Sequence, residues 1–371
     1  PMIENRDRTV LRELAHRVAE IAADPAQEER KSLWRSINSL KRCRIPVLLR
    51  VNSLYIDKVI PESLLQTADP LARRYERKLR LKIWQWEHID DDMVNEPVVE
   101  YATCVRSPRL ADSQRTRPDT KTLGALKFTP IILTEADIDK IVIDNECAVD
   151  WDATNRNGQW AEEAFGGILK PMREKAAVWT APFDYVCSIR GMDNVFADMY
   201  ERPEWLEEVM RRVYRHRVDT MKSLERERAL ALDNTFQDCY NGGLAYTHEL
   251  PAPGFDPAHV RLKDVWGASA AQASVSVSPE MHERYITRFD REYHALFGLT
   301  TAACCEPVCR KIHLYRTLPN LRRLSICIWN DFAMAAEAIG TDYVFSFKPS
   351  AIPLSRPGWD VTQDEQLLRD V

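Results

Sequence analysis

The stretch TAACCEPVCRKIH, residues 301–313, holds three of the chain's nine cysteines together with a glutamate and a histidine. Thiolate, imidazole and carboxylate are all zinc ligands, and a catalytic zinc keeps one position open. The same thiols could act as metal-free nucleophiles or pack as small apolar side chains. On a strand, successive side chains alternate faces. Cys304 and Cys305 are therefore expected to point opposite ways, with Glu306 on the side of Cys304 unless the strand ends between them. Beyond Pro307 a helix is expected, which would put Cys309 and His313 on one face at i,i+4 spacing. That helix should lie outside a sheet, so His313 reads as a surface residue. The better external ligand is His248 in YTHELP (246–251), beside Glu249.

Elsewhere, polar residues follow short β-rich runs: Asn234 and Gln237, Gln272, Trp329 with Asn330 and Asp331, and Ser346 with Lys348. Loops begin at strand ends, so such residues either line a pocket or simply meet solvent. No phosphate-cradling Gly-x-x-x-x-Gly-Lys or Gly-x-Gly-x-x-Gly is present. HERYI (282–286) lacks the second histidine of a zinc-protease helix. Cys43, Cys104, Cys147, Cys187 and Cys239 are scattered and read as packing residues, as does the aromatic cluster WQWEH (84–88).

The elements that must position these groups follow from periodicity. Leu11, Leu14, Val18 and Ile21, then Leu33, Ile37 and Leu40 beyond Pro25, predict two helices. Residues 69–90 predict a long basic helix with Asp69 as N-cap and Pro70 in the first turn. Its arginines and lysines read as a solvated face. Residues 91–134 are turn-rich and read as an inserted β meander, and TEADIDKI (134–141) as a short capped helix. Helical patterns at 152–170, 203–228, 279–297, 307–317 and 331–339 alternate with β-rich runs at 176–182, 229–235, 273–278, 299–305, 323–329 and 342–347. With 45–51 and 97–104 these make about eight strands, the count of a closed parallel (β/α)8 TIM-type barrel. The chain thus divides into an N-terminal helical extension (1–43), a barrel (44–352) and a C-terminal tail (353–371).

Nine cysteines without regular spacing, a net charge of −5 and pI near 6.0 describe an ordinary globular chain with reduced thiols. The charge argues against nucleic-acid binding. No run is apolar enough for a membrane helix, and PMIENRDRTV has no apolar signal core. The expectation is a cytoplasmic protein with no membrane or nucleic-acid partner.

The segments SVSVSPEMHERYITRFDREYHALFGLTTAACCEP and LPNLRRLSICIWNDFAMAAEAIGTDYVFSFKPS resemble the uroporphyrinogen decarboxylase superfamily. So do LKFTPIILTEADIDKIVI and ALALDNT, and the resemblance spans roughly residues 40–352. It implies a (β/α)8 barrel and one of two chemistries. One branch decarboxylates a tetrapyrrole without a cofactor, holding acidic side chains with arginines and an aspartate. The other moves methyl groups to or from a corrinoid or a thiol, with zinc held by a His-x-Cys pair and a distant cysteine. This chain departs from both. The decarboxylase's Arg-Gln-Ala-Gly run is replaced by LLRVNSLY (48–55), which keeps Arg50, and alanines stand where the His-x-Cys histidine would be.

The expected function is methyl transfer from a small O-, N- or S-methyl compound. A zinc at Cys304 and Cys305 with His248 would act as Lewis acid, Glu306 sharing the site. Glu306, Asp331 and Asn234 would be the catalytic residues, and Gln272, Trp266, Trp329, Arg50 and Lys348 would bind substrate. The corrinoid would arrive on a separate protein, and a homodimer is the expected assembly. The alternative is a cofactor-free decarboxylase or lyase of an acidic substrate, in which Arg50, Arg190 and Lys348 hold carboxylates and Asp331 or Glu306 donates the proton. A catalytically inert binding barrel is the third reading.

Overall fold

The computed structural model describes residues 3–51, 55–107, 110, 114–116, 127–141, 146–240, 242–350, 358 and 362. The expected tail at 353–371 falls outside them apart from two isolated positions. The chain is a mixed α/β protein with parallel sheets.

Helices α1 (Asn5–Ala22), α2 (Ala26–Asn38), α3 (Ile56–Val59) and α4 (Pro70–His88) open the chain. The Asp69 carboxylate caps α4 by accepting from the N–H groups of Leu71 and Ala72, both at 2.9 Å, satisfying donors that a helix start leaves open. Leu11, Ala15 and Val18 of α1 pack with Ala72, Tyr75 and Leu79 of α4 and with helix α5 (Trp151–Phe165). Helix α2 is anchored by side chains: Trp34 donates to the Asp92 carbonyl at 2.8 Å, and the Asn38 amide to the carbonyls of Leu244 and Tyr246.

Strand β1 (Val98–Tyr101) pairs in parallel with β6 (Lys170–Arg173). Between them lie two small antiparallel pairs, β2 (Val105–Arg106) with β5 (Ala148–Val149) and β3 (Gln114–Thr116) with β4 (Lys127–Thr129). The main sheet is parallel and five-stranded. It runs β11 (Val344–Phe347), β10 (Leu321–Ile326), β9 (Leu299–Ala302), β8 (Trp266–Ser269) and β7 (Trp179–Thr180).

Helices α6 (Pro182–Arg190), α7 (Met192–Glu201) and α8 (Pro203–Arg226) connect β7 to β8. Helices α9 (Pro279–His282) and α10 (Arg288–His294), joined by a π-helical turn over Glu283–Thr287, connect β8 to β9. Short α11 (Ile312–Tyr315) and α12 (Phe332–Ile339) serve the last two crossovers. Helical crossovers are how parallel neighbours are joined, and they bury both sheet faces. All four residues of β8 and of β9 are buried.

Alternation sorts the side chains. Leu324 and Ile326 of β10 face the helix-side core with Tyr315 and Ile339, while Arg323 and Ser325 face the other way, toward Cys239 and Cys304. On β8, Trp266 faces the 239–250 segment. Gly267 faces α10 so closely that a Cβ would overlap the Phe297 ring, which only glycine tolerates.

Several expected elements take another form. Residues 273–278 are not a strand: Gln272–Ser274 is a 3-10 turn, and Ser278 caps α9. The real strand lies just upstream at Trp266–Ser269. Residues 45–51 and 229–235 carry no strand ladder, and β6 begins at Lys170, where the pattern predicts the end of a helix. In place of a helix over 307–317 only Ile312–Tyr315 is helical, so Cys309 and His313 do not share a helix face.

Candidate functional site

Strand β9 ends at Ala302, three residues earlier than the run LTTAACC implies. Ala303 follows in the left-handed region at φ 68°, a conformation that costs a β-carbon roughly 1–2 kcal/mol. Strand alternation therefore lapses before the cysteines. Cys304 and Cys305 do not point to opposite faces; their Sγ atoms lie 3.5 Å apart. Cys305 is exposed and Cys304 half-buried.

Neighbouring strand ends supply the rest. Cys327, just past β10, donates its thiol hydrogen to the Cys305 carbonyl at 3.1 Å. Ser325 donates to the Cys304 carbonyl at 3.0 Å. Lys348, just past β11, places Nζ 3.3 Å from that carbonyl and 3.7 Å from Cys304 Sγ. Asn330 braces the loop by accepting from the N–H groups of Val308 (2.6 Å) and Cys309 (2.9 Å) while its amide donates to the Cys327 carbonyl. Burial pushes the Cys304 thiol up to about 12, against the pull of the Lys348 ammonium, so in the resting protein it is a thiol.

Glu306 is fully buried, and both of its oxygens are committed. One accepts from Ala271 N–H and the other from Cys304 N–H, each at 2.8 Å. It ties the loop after β8 to the loop after β9. The β8 loop is held twice more: Asp184 of α6 accepts from the N–H groups of Gln272 (3.2 Å) and Ala273 (2.8 Å), and the Lys311 ammonium donates to the Ser274 carbonyl at 2.8 Å. Burial raises Asp184 to about 6, with a further push from the Glu306 charge, and lowers Lys311 to about 8.

Behind this layer, Tyr214 donates to Asp290 at 2.9 Å and Ser269 to its other oxygen at 3.2 Å. His294 spans Ser269 (Nε2, 2.8 Å) and Thr300 (Nδ1, 2.7 Å). Burial lifts Asp290 to about 7 and drops His294 to about 3. The neutral imidazole with hydrogen on Nε2, donating to Ser269 and accepting from Thr300, satisfies every partner.

The remaining expected site residues are dispersed. Asn234 donates to the Leu250 carbonyl at 2.7 Å and secures a loop. Trp266 is fully buried among Cys239, Ala245 and Leu250, so it offers no face to a substrate. Asp331 is exposed and caps α12 through Met334 N–H at 3.0 Å. Arg50 pairs with Asp238. Arg190 is buried against Asp198 at 2.8 Å and donates to the carbonyls of Ile132 and Leu133, so its guanidinium is engaged inside the protein. His248 is exposed, and its neighbour Glu249 is taken by Arg322. Gln272, Trp329 and Lys348 stay at strand ends, with Trp329 66% exposed.

Among the described residues no three His, Cys, Asp or Glu side chains gather as a metal-binding group. The thiol pair offers two ligands, and the Glu306 carboxylate already accepts one backbone N–H on each oxygen. Asp184, Asp290 and Lys311 had no sequence signal, since nothing along the chain sets them apart from the other polar residues around them. Compared with known proteins, the chain matches no family model, and no curated protein matches it either.

Proposed function

We propose that the protein is a methyltransferase that takes a methyl group from a small O-, N- or S-methyl compound, as corrinoid-linked enzymes of the superfamily it resembles do. The observation that carries this reading is the convergence of Cys304, Cys305, Cys327 and Lys348 on three consecutive strand ends. That is where parallel α/β sheets hold their ligands. We further propose that the five-stranded sheet and the β1–β6 pair are parts of one (β/α)8 barrel.

The chain's own groups would divide the work. Trp329 would pack on the methyl compound, Gln272 would orient it, and the Lys348 ammonium would stabilise negative charge developing on the departing heteroatom. A corrinoid on a separate protein would supply the methyl acceptor. The protein would act in the cytoplasm as a homodimer.

A second reading, a cofactor-free decarboxylase or lyase, is favoured by Asp184 near 6 and Lys311 near 8 beside Glu306, values suited to proton transfer at neutral pH. Its weakness is that Arg190 and Arg50 are already paired.

The test mixes tag-free protein with reduced free cobalamin and a panel of methyl ethers, methylamines and methyl thioethers, following methylcobalamin by absorbance. Metal content is read by plasma mass spectrometry on the same samples. Methylcobalamin formation that fails in Cys304→Ala and Cys305→Ala supports methyl transfer. Release of carbon dioxide from acidic aromatic substrates, undiminished in those variants, overturns it in favour of the lyase.

A further inference from the structure

We propose that the adjacent thiols of Cys304 and Cys305 form a chelating site for a trivalent arsenical. Two consecutive residues of a strand present their side chains to opposite faces, and a pair so placed could not bind one atom. Here the early end of β9 and the left-handed Ala303 turn both thiols to one side, with Sγ atoms 3.5 Å apart. Two sulfurs in contact are spaced for one soft atom to bridge them, and soft thiolates select soft centres. The exposure of Cys305 opens the pair to solvent. Once one thiol has reacted, the second bond closes within the molecule, which is the source of chelate affinity.

The chemistry balances without an oxidant. An arsenical R–As=O and two thiols give R–As(S–Cys304)(S–Cys305) and water. Two As–S bonds form, the As=O bond breaks, both thiol protons leave with the oxygen, and arsenic stays trivalent. Because the protons depart in the product water, the protonated resting state of Cys304 is no obstacle. Lys348, 3.7 Å from Cys304 Sγ, would stabilise negative charge on sulfur as the proton leaves. Cys327 stands by as a neighbour held by its own bond to the Cys305 carbonyl.

This inference uses the thiols of the proposed function but does not need methyl transfer. A chain that forms the adduct and is inactive with every methyl donor refutes the function alone. An active chain that forms no adduct refutes the site alone.

The experiment adds phenylarsine oxide to the unaltered 371-residue chain and follows intact mass in excess glutathione. The expected result is one adduct per chain that survives glutathione, is stripped by 2,3-dimercaptopropanol, and maps to the peptide holding residues 304 and 305. In Cys304→Ser and in Cys305→Ser, apparent affinity should fall about a hundredfold or more, with thermal melting checking that each variant folds. Should a variant not fold, the peptide map on unaltered protein decides alone. No glutathione-resistant adduct, an adduct on other cysteines, or one that persists in either folded serine variant overturns the site.

Discussion

Replacing Glu306 by Gln keeps the side-chain shape and removes one acceptor and one charge, which makes it a sharp test of the brace between the β8 and β9 loops. The carboxylate now accepts from Ala271 N–H and Cys304 N–H, both at 2.8 Å, in a fully buried position. An amide has one acceptor oxygen, so one of those N–H groups must face an NH2 donor. Hydrogen bonds to a charged group contribute about 1.5–3 kcal/mol, and a buried donor left unsatisfied costs about 1–3 kcal/mol. Relaxation recovers part of this, leaving an expected loss of about 3 kcal/mol. For a chain of 371 residues that is a fall in melting temperature of roughly 4 °C. The assay is thermal melting by circular dichroism at neutral pH, beside the rate at which a thiol reagent modifies Cys304, which should rise as its backbone tether is cut. A melting temperature within about 1 °C of the parent would refute the brace. An E306Q protein of full stability but no activity would return Glu306 to the role of proton donor.

Further outcomes follow from the same geometry. Burial raises Asp290 to about 7, so the stability it contributes is complete below its unfolded value and is lost as pH rises through about 7. Asp290→Asn does not titrate, so its stability relative to the parent should gain about 2–3 kcal/mol between pH 5 and pH 8; urea melts at the two pH values check this, and a gap independent of pH would contradict the burial argument. Gly267→Ala would drive a Cβ into the Phe297 ring and should cost about 1–3 kcal/mol, read from the shift of the urea midpoint. Asp69→Ala removes the two-bond cap of α4 and should cost about 1 kcal/mol by the same measurement.

The long, strongly periodic helices were legible because periodicity is a local property. Asp69 and Pro70 mark the start of α4 where expected, and the patterns at 203–228 and 331–339 became α8 and α12. Short apolar runs were not legible. ASVSVS has the alternation of a strand, yet Asp184 and Lys311 hold its first residues in a turn, while the true strand WGAS is too short and glycine-containing to stand out. The candidate site was half legible. Its cysteines, Trp329 and Lys348 are where strand ends were expected, whereas Gln272 follows β8, a strand the pattern did not predict. Asp184, Asp290 and Lys311 were invisible because a polar residue gives no sign of being a buried partner until its contacts exist.

The sequence by itself determined a globular α/β chain, the placement of its long helices, and a sulfur-rich segment at the end of a late strand. These rest on composition, periodicity and capping, which depend on neighbours along the chain. Only the tertiary structure decided what Cys304, Cys305 and Glu306 do. Whether two adjacent thiols diverge or converge depends on where β9 stops, and that is set by pairing with β8 and β10 and by the left-handed turn at Ala303. Whether Glu306 donates a proton or fastens two loops depends on Ala271 N–H, 35 residues away in the chain and 2.8 Å away in space.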